Sequence, residues 1–224
     1  MVVNSPSNPT GSVYSRECLQ ALADIAVRHD LFVISDEVYE SLIYDGMRHY
    51  SIATFPGMAE RTIITNSLSK AHAMTGWRVG YAAGDPKIIS QMVKVHEPIN
   101  ICAPSISQKA ALAALAGPDD HVKAMLKEYD TRRRAIVRGL NEVPGTSCRM
   151  PKGAFYAFPN VGAVGKPSLE IARYLAVEAG VAVVPGSSFG PYGEGHLRIS
   201  YASSMESLME AVRRMRVAFQ KLVR

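Results

Sequence analysis

Short apolar runs alternate with longer stretches of helical spacing along this chain. Met1-Val2-Val3 is a brief apolar run that leads into the turn-rich Asn4-Ser5-Pro6-Ser7-Asn8-Pro9-Thr10-Gly11. Behind Ser15, a capping residue, Leu19, Leu22, Ala23 and Ala26 recur on one helical face with Glu17 in the first turn, which predicts a helix ending near Arg28-His29. Leu31-Phe32-Val33-Ile34 is continuous and too short for a helix, so it predicts a buried parallel strand. Thr62-Ile63-Ile64-Thr65-Asn66 and the run from Arg78 to Ala83 predict two further strands. Asp85-Pro86 reads as an N-cap with proline at the first helical position, opening a helix through Met92 and Val95. The order strand, helix, strand, strand, strand, helix suits an α/β sheet with at least one antiparallel member.

The second half has a different grain. An irregular joint over 99–105, with Pro98 and Pro104, precedes a helix from about Ile106 to Ala116 that stops at Gly117-Pro118. Asp119 is placed to cap a long helix carrying Val122, Met125, Leu126, Tyr129, Ile136 and Leu140, a stripe that reads as core. Strands are expected over Gly153 to Phe158, Val181 to Val184 and His196 to Tyr201, with a helix from about Ser168 to Ala179 stopped by Gly180. Ser204 caps a final helix with Leu208, Val212, Met215, Phe219 and Leu222. These readings divide the chain into a partial first domain over 1–98, a connecting segment over 99–118 and a small α+β domain over 119–224.

Composition narrows the function classes. A chain of 224 residues buries a substantial core, and its formal net charge of +5 is spread rather than gathered. Arg132-Arg133-Arg134 is the one dense basic cluster and reads as the solvated face of a helix, which excludes a nucleic-acid partner. Cys18, Cys102 and Cys148 are odd in number and lack metal-ligand spacing, so a reducing compartment and no metal site are expected. No apolar run approaches the ~20 residues of a membrane span. The expectation is a soluble, cytoplasmic protein with no membrane partner.

The chemistry centres on Ser67-Leu68-Ser69-Lys70, followed by Arg78 within Gly76-Trp77-Arg78-Val79-Gly80. A lysine of ordinary pKa, about 10.4, is ammonium at neutral pH and cannot attack a carbonyl. Burial at a strand end beside an arginine lowers that value and frees the amine. Asp36 and Glu37 directly follow an expected strand, at the carboxyl end where ligands gather in α/β sheets, and Tyr39 lies on the same side. One of the two carboxylates is expected to cap a following helical turn. Asn8-Pro9-Thr10-Gly11 is a turn by composition that aims the Asn8 amide.

Four motifs in order, Asn8-Pro9-Thr10-Gly11, Ser35-Asp36-Glu37-Val38-Tyr39, Ser67-Leu68-Ser69-Lys70 and Thr75-Gly76-Trp77-Arg78-Val79-Gly80-Tyr81, resemble those of the class I/II aminotransferases, fold-type I enzymes dependent on pyridoxal 5'-phosphate. Leu197-Arg198-Ile199-Ser200-Tyr201 is similar to the late arginine motif of the same family. The resemblance implies a pyridoxal-phosphate-dependent transferase fold, with a partial mixed sheet of the large coenzyme-binding domain and a small α+β C-terminal domain. It implies Lys70 as the imine-forming residue and proton carrier, and Asp36 on the pyridine nitrogen. Tyr39 and Asn8 would meet the ring hydroxyl, Arg78 the phosphate with the Ser67 and Ser69 hydroxyls beside it, and Arg198 the substrate α-carboxylate with Asn8 nearby. The partners implied are an amino acid and a 2-oxo acid, in a homodimer. The family's first half lies upstream of Asn8, so the chain is expected to be a truncated C-terminal portion with transamination impaired or lost. A lyase or decarboxylase using the same lysine, and a non-catalytic module of the same fold, remain open beside it.

Overall fold

Ser15 starts the first helix: its hydroxyl accepts the Cys18 amide at 3.2 Å, and α1 runs Arg16–Arg28. This computed structural model describes residues 1–222. Strands β1 (Val2–Asn4), β2 (Val33–Asp36), β3 (Thr62–Ser67) and β4 (Gly80–Ala83) form a sheet in the order β1-β2-β3-β4. The first three are parallel and β4 is antiparallel to β3. One face buries Val3 and Val33 with Leu19, Ala23 and Ala26 of α1 and with Ile52, Phe55 and Met58.

The strand expected over 31–34 is displaced and covered on one side. β2 begins at Val33 and alternates, with Val33 and Ser35 buried while Phe32 and Ile34 are 63% and 43% exposed. The period of two puts Phe32 and Ile34 on the face away from α1. Arg78 is not in a strand either. It closes a 3-10 turn, Thr75–Trp77, in a left-handed conformation (φ 53°), and the ladder begins at Gly80 opposite Ser67. A Cβ at Gly80 would lie 2.7 Å from the Asn66 carbonyl oxygen, so the pairing needs glycine there.

The short helix α2 covers Leu68–Ala71, and α3 covers Pro86–Asn100 behind Asp85, whose carboxylate accepts the Lys87 amide at 2.7 Å. α3 carries on through Pro98, so the joint expected over 99–105 shrinks to 101–104. Proline near a helix end forfeits one backbone bond without ending the helix. Helices α4 (Ser105–Ala116) and α5 (Asp120–Asn141) follow. By contacts the first compact unit is Met1–Pro6 with Val13–Ala124, and the second is Ser7–Ser12 with Met125 onward.

The second unit has a sheet of β5 (Tyr156–Ala157), β6 (Val184–Pro185) and β7 (Leu197–Ser200), antiparallel in the order β5-β7-β6, with helices α6 (Ser168–Glu178) and α7 (Met205–Leu222). The strands are shorter than the apolar runs suggest. Ala154 is left-handed (φ 57°), which delays β5, and Pro185 brings no amide donor to the ladder, which limits β6. The Ser7–Ser12 segment is held here because Lys152 and Gly153 both donate their amides to the Gly11 carbonyl at 2.8 Å. Gly11 has φ +66°, and a Cβ on it would lie 2.4 Å from that of Pro151.

The basic cluster on α5 departs from the solvated face expected of it. Arg133 is fully buried (0% exposed), with Nε donating to the Asp130 carboxylate at 2.8 Å and Nη1 to the Pro151 carbonyl at 2.6 Å. Arg132 and Arg134 pair with Glu128 and Asp130 nearer the surface. Helical geometry turns the middle residue of three inward while its neighbours stay out.

Losing Asp130 leaves the buried Arg133 without its counter-charge, whereas losing Arg133 leaves Asp130 partly exposed and still paired with Arg134. Asp130→Ala is therefore expected to cost about 3–5 kcal/mol in urea unfolding. Arg133→Met is expected to cost less, an order that the two urea midpoints decide.

Candidate active site

Strand register brings the sequence-identified residues of the first unit to one edge. Asn4 pairs with Asp36, Asp36 with Thr65, and Ser67 with Gly80, so the carboxyl ends of β1, β2 and β3 lie at the edge where β4 starts. Asp36 ends β2, Ser67 ends β3, Ser69 and Lys70 stand on α2, and Arg78 stands just ahead of β4. Tyr39 follows in the turn after β2, its side chain 3% exposed.

Asp36 accepts the Val38 amide on Oδ1 at 3.3 Å, a local turn rather than a helix cap, since no helix follows. Its carbonyl receives the Ser5 amide at 3.3 Å and the Asn4 side-chain amide at 3.4 Å. Ser67 caps α2. Its Oγ accepts the Ser69 amide at 3.1 Å, lies 2.9 Å from Ser69 Oγ and donates to the Val79 carbonyl at 3.2 Å. Lys70 sits half-buried in the last turn of that helix. Arg78 is exposed, with Nη1 donating to the Thr75 carbonyl at 3.0 Å, so the guanidinium is steadied by its own turn.

Glu37 is occupied differently. Its carboxylate is buried (3% exposed) and takes Ser35 Oγ at 2.8 Å and Ser51 Oγ at 2.6 Å on Oε1, with His49 Nε2 at 2.9 Å on Oε2. Burial pushes this carboxyl up, and the bonds from His49, Ser51 and Ser35 outweigh it, holding the group below the usual 4.5. Glu37, Glu40 and His49 bring possible ligand atoms within 4.8 Å of one another. Since donors already take both oxygens of Glu37, the cluster is built as a hydrogen-bond network and not as a cation cage. The motif reading placed Glu37 beside Asp36 but missed its partners; the signal was the alternation of Ser35, Glu37 and Tyr39 on one buried face.

The second unit brings Asn8 and Arg198 together although they are 190 positions apart, with Arg198 Nη1 donating to Asn8 Oδ1 at 2.9 Å. The guanidinium carbon lies 4.7 Å from the centre of the Tyr156 ring and 5.0 Å from that of Phe189, two aromatic faces that hold a cation without neutralising it. Arg198 Nε is buried and has no hydrogen-bond partner. Phe189 belongs to a 3-10 turn, Gly186–Phe189. Neither aromatic was singled out from the sequence, because each lies in a short segment whose apolar pattern also fits core.

Comparison with known proteins identifies the family. Residues 1–215 match the family description "Aminotransferase class I and II". An aspartate aminotransferase of Pyrococcus abyssi is 50% identical over 217 residues, covering 96% of this chain and 56% of that protein. An aromatic-amino-acid aminotransferase of Thermococcus litoralis is 45% identical over the same length, again with 96% and 56% covered. A crystal structure of an aromatic aminotransferase from Pyrococcus horikoshii superposes with a TM-score of 0.95 at 48% identity, covering 98% of this chain and 59% of that one. The chain thus spans little more than half the length of these relatives, and its mixed sheet and small α+β unit have the fold of pyridoxal-phosphate-dependent aminotransferases. By sequence and by fold it belongs to the class I and II aminotransferase family.

Proposed function

We propose that this chain carries the lysine-bearing part of a transamination site, in which pyridoxal 5'-phosphate passes an amino group between an amino acid and a 2-oxo acid. The observation that carries the reading is the meeting of Asp36, Ser67, Ser69, Lys70 and Arg78 at one sheet edge. Family members depend on this coenzyme. The donor set fits it: two hydroxyls 2.9 Å apart and a guanidinium for a phosphate, and a carboxylate at the neighbouring strand end for a basic ring nitrogen. The partnerless, buried Nε of Arg198 fits a substrate carboxylate in the same way.

When bound, the coenzyme supplies an electron sink for the charge released as the substrate Cα–H bond breaks. The protein's residues then have separate tasks. Lys70 Nζ would take that proton and give it back, acting as base and then acid. Asp36 would hold a proton on the ring nitrogen, and Tyr39 and Asn8 would donate to the ring hydroxyl oxygen. Arg78 would hold the phosphate, with Ser67 and Ser69 adding hydroxyls. Arg198 orients the amino acid by its carboxylate, the aromatic faces of Tyr156 and Phe189 keeping the fork from swinging. In this reading the working protein is cytoplasmic and homodimeric.

Two experiments check it. Borohydride reduction after incubation with pyridoxal phosphate is expected to fix one pyridoxyl group on the peptide containing Lys70. Lys70→Ala is expected to gain none there; labelling scattered over surface lysines in both proteins would sink the assignment. Arg198→Lys removes the planar fork and is expected to lower kcat/KM for amino acids roughly 10- to 100-fold, the range of one to two charge-assisted hydrogen bonds. Stopped-flow measurement should find primary amines that lack a carboxylate unaffected.

A further inference from the structure

Among the described residues Glu37 is the one carboxylate with so little exposure, and it shares a peptide bond with Asp36. A carboxylate removed from water is costly unless its lone pairs are met. Here they are met from two separate segments: Ser35 in β2, and His49 with Ser51 just ahead of the 3-10 turn Ile52–Thr54. The backbone of Glu37 is held as well. Its amide donates to the Thr65 carbonyl at 3.0 Å, and its carbonyl accepts the Glu40 amide at 2.9 Å. Glu37 is therefore tied at side chain and main chain.

The charge of this network also has a direction. His49 gives Nε2–H to Glu37, and its Nδ1 is buried without a partner. Three donors on its two oxygens hold Glu37 as the anion. Glu40 stands close by, its carboxylate taking the Asn66 amide at 2.7 Å, and the Tyr81 phenol feels both acids. Turn formation alone does not require a buried anion, because an apolar side chain fills such a space without loss of solvation.

Resting on the reading of the site given above, we propose that Glu37 is a positioning residue. With His49 and Ser51 it fixes the peptide that carries Asp36 and maintains the negative potential that keeps the coenzyme's ring nitrogen protonated. No bond is made or broken by Glu37 itself. Its action is on the orientation of Asp36 and on a proton equilibrium.

The test uses the whole chain with Glu37→Gln and Ser51→Ala, titrated with pyridoxal phosphate labelled with ¹⁵N in the ring. Both variants are expected to bind roughly 10- to 100-fold more weakly, the effect seen for outer-shell partners of directly bound groups. In Glu37→Gln the ¹⁵N signal is expected to move toward the unprotonated position between pH 6 and 9, a change that loss of packing alone does not produce. If the unaltered chain fails to bind at Lys70, the proposed function and this inference fall together. Should it bind while Glu37→Gln matches it in affinity and in ¹⁵N shift, only the inference falls. Weaker binding with an unmoved ¹⁵N signal reduces Glu37 to scaffolding and overturns the proposal too. The ligand-free protein gives a separate readout. Because the folded pKa of Glu37 lies below 4.5, its stabilising contribution is complete above that pH and is lost as pH falls through the folded value. The difference in melting temperature between the unaltered chain and Glu37→Gln is accordingly expected to narrow steadily as pH falls below 4.5, and a difference that does not narrow with falling pH overturns the ionised network.

Discussion

The pairing register of β2 on β3 is the constraint on which the rest of the first unit depends. Side chains alternate across a strand, so a slip of one position would exchange the faces of every residue from Val33 to Asp36. Asp36 would turn inward and Ser35 outward. The register is fixed from both sides. Val33 enters the core that α1 closes, and the amide of Glu37 extends the ladder past the strand end onto Thr65. Packing thus specifies which of two adjacent acids stands at the partly open sheet edge and which is consumed internally.

Conformational restriction does comparable work at the other residues of the edge. Ser67 joins β3 to α2 by capping the helix while bonding the Val79 carbonyl ahead of β4, which holds Lys70 and the approach to Gly80 in one arrangement. Arg78 adopts a left-handed conformation that is uncommon for a residue with a long side chain. Such strain is sustained where surrounding structure determines it, here a 3-10 turn on one side and a strand start on the other.

Much of this could be read from the chain. Ser15, Asp85 and the apolar spacing behind them set helix starts correctly, because capping chemistry is local. The motif residues Asp36, Ser67, Lys70 and Arg78 come to one edge because strand ends are where connections bring polar residues. The failures share a cause. The inward turn of Arg133 and the partners of Glu37 depend on residues outside the local pattern, such as Pro151 for Arg133 and Ser51 for Glu37. The exposure of Phe32 and Ile34 is of the same kind: an apolar run says that a strand wants cover, and only tertiary structure says on which face it has it.

The Ser7–Ser12 segment counts with the second unit although the chain on both sides of it counts with the first. The second unit is consequently discontinuous, and no single cut in the chain releases it whole. Severing between Ala124 and Met125 would strand Asn8 on the other piece and leave the Lys152 and Gly153 amides without the Gly11 carbonyl. The anchoring of one short loop therefore makes the second unit depend on two stretches of chain separated by more than a hundred residues.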